Sequence, residues 1–161
     1  MRKEILALLE RGGKLTAAEI ALRLDVPEEE ARREIESMER EQVICGYGAF
    51  VNWERAGGEW LTAMIEVKVT PSRGQGYNRV AERISRFDEV KAVYLMSGGY
   101  DLSVVIEGKT LKDIALFVSD KLSPLESVLS TATHFVLKKY KDHGVFFEDG
   151  PGGDERMIVS P

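Results

Sequence analysis

Three arginines have the residue type and the spacing that nucleic-acid binding requires. Arg32, Arg33 and Arg40 lie close together in a segment with helical periodicity. A guanidinium can donate two parallel hydrogen bonds to guanine, or it can bind a phosphate oxygen. The same arginines could instead belong to a solvated, salt-bridged helix, because Glu36 stands four residues after Arg32 and four before Arg40. The residues alone leave both interpretations open.

The residue types that serve most often in catalysis and metal binding are scarce. The chain has two histidines, His134 and His143, and a single cysteine, Cys45. Neither histidine has an evident catalytic partner, and one cysteine cannot form a disulfide framework or, alone, a zinc site. We therefore assign no nucleophile, general base, metal site or cofactor, and we expect Cys45 to be a buried thiol.

Composition limits the class of protein. A chain of 161 residues suits one medium domain or two small ones, and 43% hydrophobic with 30% charged residues predicts a packed fold. No apolar run approaches the roughly 18 residues that span a bilayer, and the charged start Met1–Glu4 lacks a signal-peptide core, so we expect a cytoplasmic protein. The formal net charge of −5 argues against a nucleic-acid binder, although a local basic patch could still contact phosphates.

The first part of the chain predicts three short helices. Thr16 and Glu19 form the capping-box pattern that begins the second helix, and the third begins near Pro27. Only Asp25 and Val26 separate these two helices, so they must cross steeply, as in a helix-turn-helix. Asp25 also tolerates the positive φ that such a turn often needs. A three-helix bundle that binds no DNA is the alternative. The apolar positions of the three helices are Ile5, Leu8, Leu9, Ile20, Ala21, Leu24, Ala31, Ile35 and Met38.

The rest of the chain predicts a second, mixed domain. Residues 43–52 predict a connecting strand, and Gly57 and Gly58 a flexible boundary. From Leu61 the apolar period changes to two, and the following segments give the order β-α-β-β-α-β of a ferredoxin-like fold. The fold class is therefore α+β. The predicted strands cover residues 61–70, 90–96, 102–106 and 131–140, with helices over residues 80–87 and 111–122.

Several predicted strands are apolar on both faces. Met64 and Ile65 are consecutive in the first predicted strand, and Val104 and Val105 are consecutive in the third. Because consecutive strand residues point to opposite faces, each pair places an apolar side chain on both faces. In a ferredoxin-like fold the helices cover one face of the sheet, so an apolar second face needs a partner, most simply a second copy of the chain. This pattern predicts a homodimer that pairs sheet to sheet. Scattered apolar side chains exposed on a monomer are the alternative.

The sequence resembles the leucine-responsive/asparagine-synthetase regulator (Lrp/AsnC) family over about residues 3–142. Residues 31–47 resemble that family's recognition helix and its Val-Ile-x-Gly-Tyr exit, and Ser97–Leu102 resembles its Gly-x-Tyr-Asp-Leu effector loop. The resemblance implies a DNA-binding transcriptional regulator that forms dimers, often assembled into tetramers or octamers. The implied domains are a helix-turn-helix (winged-helix-like) domain at 1–46, a connecting strand or linker at 47–60, a ferredoxin-like sensing and oligomerisation domain at 61–147, and an acidic, glycine-rich tail at 148–161.

The resemblance also implies an effector, commonly an amino acid, bound between dimers near this loop. Gly98 and Gly99 would let backbone amides approach a carboxylate, and Asp101 could pair with an α-ammonium group. A plain hairpin, whose glycines only supply turn geometry, is the alternative. The implied effector-binding residues are Gly98, Gly99, Tyr100, Asp101, Thr131 and Thr133.

One departure from the family concerns the DNA face. Family members often have neutral residues near the start of the recognition helix, where this chain has Glu28, Glu29 and Glu30. These carboxylates would repel phosphates if they faced the duplex. The candidate DNA contacts are Arg32, Arg33 and Arg40, with Lys14 and Arg23 as weaker ones.

Two other functions compete with the regulator. The glutamates favour a sensing and oligomerisation protein whose helical domain has lost DNA binding. An enzyme similar to the siroheme decarboxylases would share the overall layout. Those enzymes, however, have a His-containing basic stretch and a Tyr-Asn pair at the turn between the second and third strands. This chain has Tyr100 and Asp101 there, with no nearby histidine. We expect a regulator whose DNA affinity an effector modulates.

Overall fold

A computed structural model describes residues 1–71 and 76–147 of the chain. These residues divide into two compact units, of which the first is Met1–Val51 and the second begins at Asn52. The acidic, glycine-rich tail predicted at residues 148–161 lies outside the described residues. The two units are described separately below.

The first unit consists of the three predicted helices. They are α1 (Arg2–Gly12), α2 (Ala17–Leu24) and α3 (Glu28–Arg40). The small side chains of Ala21 and Ala31 are both buried, which lets α2 and α3 approach closely. The fully or nearly fully buried core residues are Ile5, Ile20, Ala21, Ala31 and Met38, with partly buried apolar side chains around them. The core therefore lies on the predicted apolar face of each helix.

The turn between α2 and α3 has the predicted geometry. The Thr16 hydroxyl accepts a hydrogen bond from the Glu19 backbone N–H at 3.2 Å, and the Glu19 carboxylate accepts one from the Thr16 N–H at 2.8 Å. This capping box lowers the pKa of Glu19. Asp25 ends α2 in the left-handed region, with φ of 53°, and its N–H donates to the Ala21 carbonyl. The expected positive φ at Asp25 is confirmed.

Two expectations about the segment after α3 are wrong. Gln42 has a φ of 57°, which turns the chain away from the helix, and the Val43 N–H donates back to the Met38 carbonyl at 2.8 Å. Among the described residues no strand pairs with residues 43–52, so the predicted connecting strand does not form within one chain. Because the turn carries Cys45 out of the core, its thiol is exposed rather than buried.

The second unit contains the predicted ferredoxin-like fold. Its strands are β1 (Leu61–Val69), β2 (Val90–Leu95), β3 (Leu102–Gly108) and β4 (Val128–Phe135). The first helix of this unit is α4 (Asn78–Ser85), and the second is α5 (Leu111–Phe117), which continues as a π-helical segment (Val118–Leu122). The strand order in the sheet is β2-β3-β1-β4, and every neighbouring pair is antiparallel. The βαββαβ prediction is confirmed.

The two faces of this sheet differ. Alternate residues of β1 are buried beneath the helices, in a core with Leu102, Val104, Ile84 and Phe117. On the opposite face the strand register places Ala92, Val105 and Met64 in one row. Met64 is 45% exposed, and Tyr94 on the same face is 52% exposed. The second face therefore presents apolar side chains that no helix of the described chain covers.

The end of the chain departs from the predicted last strand. The predicted strand runs over residues 131–140, whereas β4 covers Val128–Phe135, and directly after it the Val136 N–H donates to the Thr62 carbonyl of β1 at 2.9 Å. A small hairpin follows, formed by β5 (Lys141–Asp142) and β6 (Val145–Phe146). His143 and Gly144 have φ values of 45° and 82°, as a two-residue hairpin turn with two positive φ angles requires.

The left-handed conformation at Asp25 gives a test of the turn. Asp25→Val should destabilise the helical unit by about 1–2 kcal/mol, because a branched side chain is strained at positive φ, and Asp25→Gly should leave stability unchanged or raise it. Denaturant unfolding of the full chain, with amide hydrogen exchange in α2 and α3, measures both changes. Equal losses for Val and Gly would mean that the Asp25 side chain, and not the backbone conformation, holds the turn.

Candidate nucleic-acid interface and effector loop

The surface of α3 divides into a buried stripe, an outward line and two flanks. Ala31 and Met38 are buried, and successive residues are rotated by about 100° around the helix axis. The line opposite the buried stripe carries Glu29, Arg33, Glu36 and Arg40, which are all exposed. Arg33 and Arg40 are seven residues apart, roughly 10 Å along the axis. Two of the predicted DNA contacts therefore point outward on one line, interleaved with two carboxylates.

Arg32 lies on one flank of α3, away from this line. It is exposed and forms a close ion pair with Glu28, four residues before it. The sequence suggested Glu36 as the partner, which is the other helical neighbour at four residues. The ion pair directs the Arg32 guanidinium toward the start of α3 and partly neutralises it. Arg32 is therefore a weaker candidate for DNA contact than Arg33.

Lys14 and Arg32 line one groove between the start of α2 and the side of α3. The groove also includes Ala17 in the first turn of α2, and Glu36 and Glu39 on α3. Helix N-termini and basic side chains favour phosphate, whereas the two carboxylates oppose it. The remaining predicted contact, Arg23, is exposed in the last turn of α2 and is not part of this groove. The structure thus brings Lys14 and Arg32 together and leaves Arg23 apart.

Tyr47 connects the segment that follows α3 to the side of that helix. Its hydroxyl donates a hydrogen bond to the Glu39 carboxylate at 2.7 Å. Partial desolvation of the hydroxyl beside α3, together with this hydrogen bond, raises the pKa of Tyr47 to about 12, although the side chain as a whole is exposed. Tyr47 stands in the motif that resembles the family's exit, but its role as a contact to α3 could not be predicted from spacing.

Arg2 clamps α1 to α3 on the opposite flank. Its Nε donates to Glu34 at 2.7 Å, its Nη1 to Glu41 at 2.7 Å, and its Nη2 to Ser37 at 3.0 Å. The guanidinium lowers the pKa of Glu41 to about 2, and the two carboxylates raise the pKa of Arg2 further above its ordinary value. These contacts join residues more than thirty positions apart, so no local pattern in the sequence indicates them.

The net charge of the first unit does not show how its charged side chains are distributed over α3. Residues 1–51 contain eight Lys and Arg against eleven Asp and Glu. On the flanks of α3, Arg2 pairs with Glu34 and Glu41, and Arg32 pairs with Glu28, so two of these three negative charges are balanced. The charges that face solvent on the outward line are two arginines and two glutamates. A ligand that meets this line encounters alternating charges rather than an acidic surface.

The loop that resembles the effector loop connects β2 to β3. Gly98 has a φ of 145°, a conformation that few L-residues adopt. No heavy atom lies within 4 Å of the position that a Cβ would occupy at Gly98 or at Gly99. Both glycines are exposed and Tyr100 is half-buried. The backbone of this loop is therefore open to a molecule that approaches from outside the chain.

Asp101 fixes the end of this loop to β1. Its N–H donates to the Val67 carbonyl at 3.0 Å, and one oxygen of its carboxylate, Oδ2, accepts a hydrogen bond from the Val69 N–H at 2.9 Å. The Met96 N–H donates to the Asp101 carbonyl at 2.8 Å and closes the loop. One carboxylate oxygen thus has a structural role, and the other can accept hydrogen bonds from a ligand.

The two threonines predicted for the effector site lie across β1 from Asp101. Thr131 pairs with Val67 and Thr133 with Ile65 in the register of β1 and β4. Because Val67 and Ile65 are buried beneath the helices, the threonines share that face of the sheet and are half-buried. Val67 of β1 lies between Thr131 on β4 and Asp101, which directly precedes β3. Two strand spacings therefore separate Thr131 from Asp101, roughly 10 Å. Within one chain these residues do not form a single pocket.

The histidines have acidic neighbours on the surface. His134 Nε2 lies 3.3 Å from a Glu66 oxygen, and His143 Nδ1 lies 2.7 Å from an Asp142 oxygen. All four side chains are well over a third exposed. Within residues 1–71 and 76–147, no group of three or more His, Cys, Asp or Glu side chains could hold a metal ion. In the same ranges no helix has the length and apolarity needed to cross a membrane.

Comparison with known proteins gives one family. Residues 62–146 match the model of the Lrp/AsnC ligand binding domain. The chain is 53% identical over 159 residues to the HTH-type transcriptional regulator YugG of Bacillus subtilis, covering 98% of this chain and 95% of that protein. An HTH-type transcriptional regulator of Pyrococcus furiosus is 32% identical over 146 residues, covering 89% and 96% of the two chains.

Solved structures share the fold at lower identity. Escherichia coli AsnC has a TM-score of 0.64 at 20% identity, covering 86% of this chain and 91% of its own. The leucine response regulatory protein LrpA of Mycobacterium tuberculosis has a TM-score of 0.74 at 17% identity, covering 91% and 97%. A transcriptional regulator from Neisseria meningitidis in complex with L-Met has a TM-score of 0.70 at 23% identity, covering 88% and 90%.

The Arg2 clamp gives a prediction about pH. Because the folded pKa of Glu41 is about 2, below its ordinary value of 4.5, the clamp contributes stability above pH 4.5 and loses it as the pH falls toward 2. The difference in melting temperature between the wild type and Arg2→Ala should therefore be full at neutral pH and shrink below pH 4.5. Thermal unfolding at a series of pH values measures this difference.

The matched control is Arg11→Ala, which removes an exposed arginine from the last turn of the same helix. Its melting temperature should differ from that of the wild type by an amount with no such pH dependence. A constant difference for Arg2→Ala between pH 7 and pH 2 would show that the carboxylates are not its partners in solution.

Proposed function

The chain belongs to the Lrp/AsnC family of transcriptional regulators, and from that premise we propose how it binds DNA and senses an effector. The protein is a sequence-specific DNA-binding regulator, and an amino acid bound at the oligomer interface changes its DNA affinity. The observation that carries the DNA-binding part is the outward line of α3. Arg33 and Arg40 lie on the face opposite the core, on the helix that follows a two-residue turn.

A dimer would present two copies of α3 to DNA. Two-fold related recognition helices bind half-sites one helical turn of DNA, roughly 34 Å, or a multiple of it, apart. The target would then be a palindrome that reflects the symmetry of the dimer. Arg33 is the residue we assign to a base edge, because it has no ion pair with any residue in the described part of the chain.

The first test is selection of bound fragments from genomic DNA with the purified protein, at ~0.15 M salt. A few palindromic sites should be enriched. On a selected site, Arg33→Ala and Arg40→Ala should each weaken binding about tenfold, close to 1.4 kcal/mol, as expected for loss of a specific arginine contact. Arg32→Ala should cost less, because its guanidinium is already paired with Glu28.

Arg11→Ala is the matched control, since it removes the same charge from α1 instead of α3. It should bind the selected site within about twofold of the wild type, a difference of ~0.4 kcal/mol. If the folded, oligomeric wild type enriches no sequence at all, with or without a panel of amino acids, the sensing and oligomerisation alternative replaces the regulator.

For the effector we propose the loop between β2 and β3. The regulator from Neisseria meningitidis with the same fold was crystallised with L-Met, so an amino acid is the ligand class we assign. The open backbone at Gly98 and Gly99 suits an α-carboxylate, and the second carboxylate oxygen of Asp101 suits an α-ammonium group. Thr131 and Thr133 could complete the site from another chain, because they do not meet the loop within one chain.

Assembly of copies is part of this proposal. The row of Ala92, Val105 and Met64 gives the sheet an apolar face that a second copy would cover. Tyr94 would add aromatic area to the same face. Binding of the effector at this loop would then favour one assembly or one spacing of the two α3 helices. We propose no catalytic activity, since the acid–histidine pairs of this chain lie on its surface.

The test of the effector site uses Asp101→Asn. This change keeps an oxygen that can accept from the Val69 N–H but removes the negative charge, so the fold should be retained. The apparent affinity for the most effective amino acid should fall about 10- to 100-fold, the range for a hydrogen bond to a charged group. DNA binding and sedimentation velocity, each titrated with a panel of L-amino acids, measure the response and the assembly.

Asp88→Asn is the control, because it removes an exposed carboxylate from the same unit outside the loop. It should respond to amino acids as the wild type does. An unchanged response and unchanged assembly in Asp101→Asn would place the effector elsewhere and leave the DNA-binding proposal intact.

A further inference from the structure

The helix α4 of the second unit carries three arginines on one line. Arg79, Arg83 and Arg86 follow the spacing i, i+4 and i+7, which places them within about 60° of one another around the helix axis. They span roughly 10 Å along that axis. All three are exposed, and none forms an ion pair with another described residue. We call these three residues the α4 arginine line.

The rest of α4 shows what kind of surface this is. Its apolar residues Val80 and Ile84 are buried in the core. Glu82 is exposed on the same helix, about 40° around the axis from Arg86 and about 60° from Arg79, so this surface carries three positive charges with one negative charge at its side. The line is therefore a compact positive surface without an exposed apolar residue of α4 beside it. Such a surface suits a strongly hydrated polyanion more than an apolar partner or the interior of a membrane.

We infer that the α4 arginine line is a second DNA contact, which binds backbone phosphates outside the sequence that α3 recognises. The inference rests on the proposed function. The charges of one DNA strand recur about every 3.4 Å along the duplex axis, so a surface roughly 10 Å long faces several phosphates within reach of the flexible arginine side chains. Three guanidinium groups at this spacing complement such a row of charges.

The charges of α3 explain why a second contact is needed. The outward line of α3 interleaves Arg33 and Arg40 with Glu29 and Glu36, so it neutralises few phosphates. Beside the α4 arginine line the helix carries one carboxylate, Glu82, so three positive charges stand against one negative charge, whereas the outward line of α3 has two of each. Phosphate contacts position a protein without reading sequence. The α4 line therefore adds affinity for any DNA, while α3 provides the discrimination.

The test compares Arg79→Gln/Arg83→Gln with Lys109→Gln/Lys112→Gln, which removes two exposed positive charges at the other helix, α5. Arg86 is left unchanged because it is the C-cap residue of α4. Each variant is titrated with a long DNA fragment that contains a selected site, and with a scrambled fragment of the same length, between about 0.05 and 0.2 M salt. Sedimentation velocity checks that both variants keep the assembly of the wild type.

In the arginine variant, the slope of log affinity against log salt should become shallower by about 1.8 for each chain whose α4 contacts the fragment, or 0.9 for each lost phosphate contact. Its loss of affinity should then shrink by about 12-fold per contacting chain between 0.05 and 0.2 M salt. The ratio of affinities for the selected and scrambled fragments should stay the same, and the lysine variant should keep the wild-type slope.

Other results would overturn the inference in distinguishable ways. Equal slopes for both variants, with a wild type that binds its site, would reject the α4 contact and leave the proposed function standing. A wild type that binds neither fragment would reject both. Binding of the wild type to vesicles of anionic phospholipid, lost in the arginine variant while its DNA slope is unchanged, would assign the line to a membrane surface instead.

Discussion

The helical unit depends on a narrow apolar stripe along α3. Ala31, Ile35 and Met38 are the only apolar side chains in a helix of 13 residues, and two of them are fully buried. So small a stripe orients the helix but gives little resistance to rotation about its axis, because hydrophobic burial is not directional. Directional contacts supply that resistance on the two flanks, through Arg2 on one side and Tyr47 on the other. The outward line of α3 faces solvent as a consequence of these three constraints acting together.

In the second unit a comparable role falls to β1. It is one of the two central strands and pairs with both β3 and β4, so its alternation decides which face of each neighbour is buried. The Asp101 carboxylate accepts a hydrogen bond from the Val69 N–H at the end of β1, and this contact fixes where the loop between β2 and β3 ends. In the proposed site, a ligand that competes for Asp101 would therefore act directly on the end of a central strand of the sheet and not on an independent loop.

Much of this architecture could be predicted because its causes are local. A capping box, an Asp at the left-handed position and strict alternation in β1 each act over a few residues, and all three appear in the structure. The failures have non-local causes. The strand predicted at residues 43–52 has no partner strand among the described residues, and β4 ends at Phe135 although β1 has two further residues, Leu61 and Thr62, which pair with β3. In the candidate site, the sequence suggested Glu36 as the partner of Arg32, whereas the folded chain pairs Arg32 with Glu28, which is equally spaced on the other side.

The acidic net charge is compatible with DNA binding for a physical reason. At ~0.15 M salt, charges are screened over about 8 Å, so a phosphate senses the side chains that face it and not the total of −5. The outward line of α3 places Glu29 and Glu36 beside Arg33 and Arg40, and these carboxylates repel phosphates in any sequence. Non-specific binding rests almost entirely on phosphate contacts, whereas specific binding also gains from base edges. Interleaved glutamates therefore lower both affinities by a similar factor, and the discrimination between sequences rests on the base edges that the arginines of α3 contact in the proposed complex.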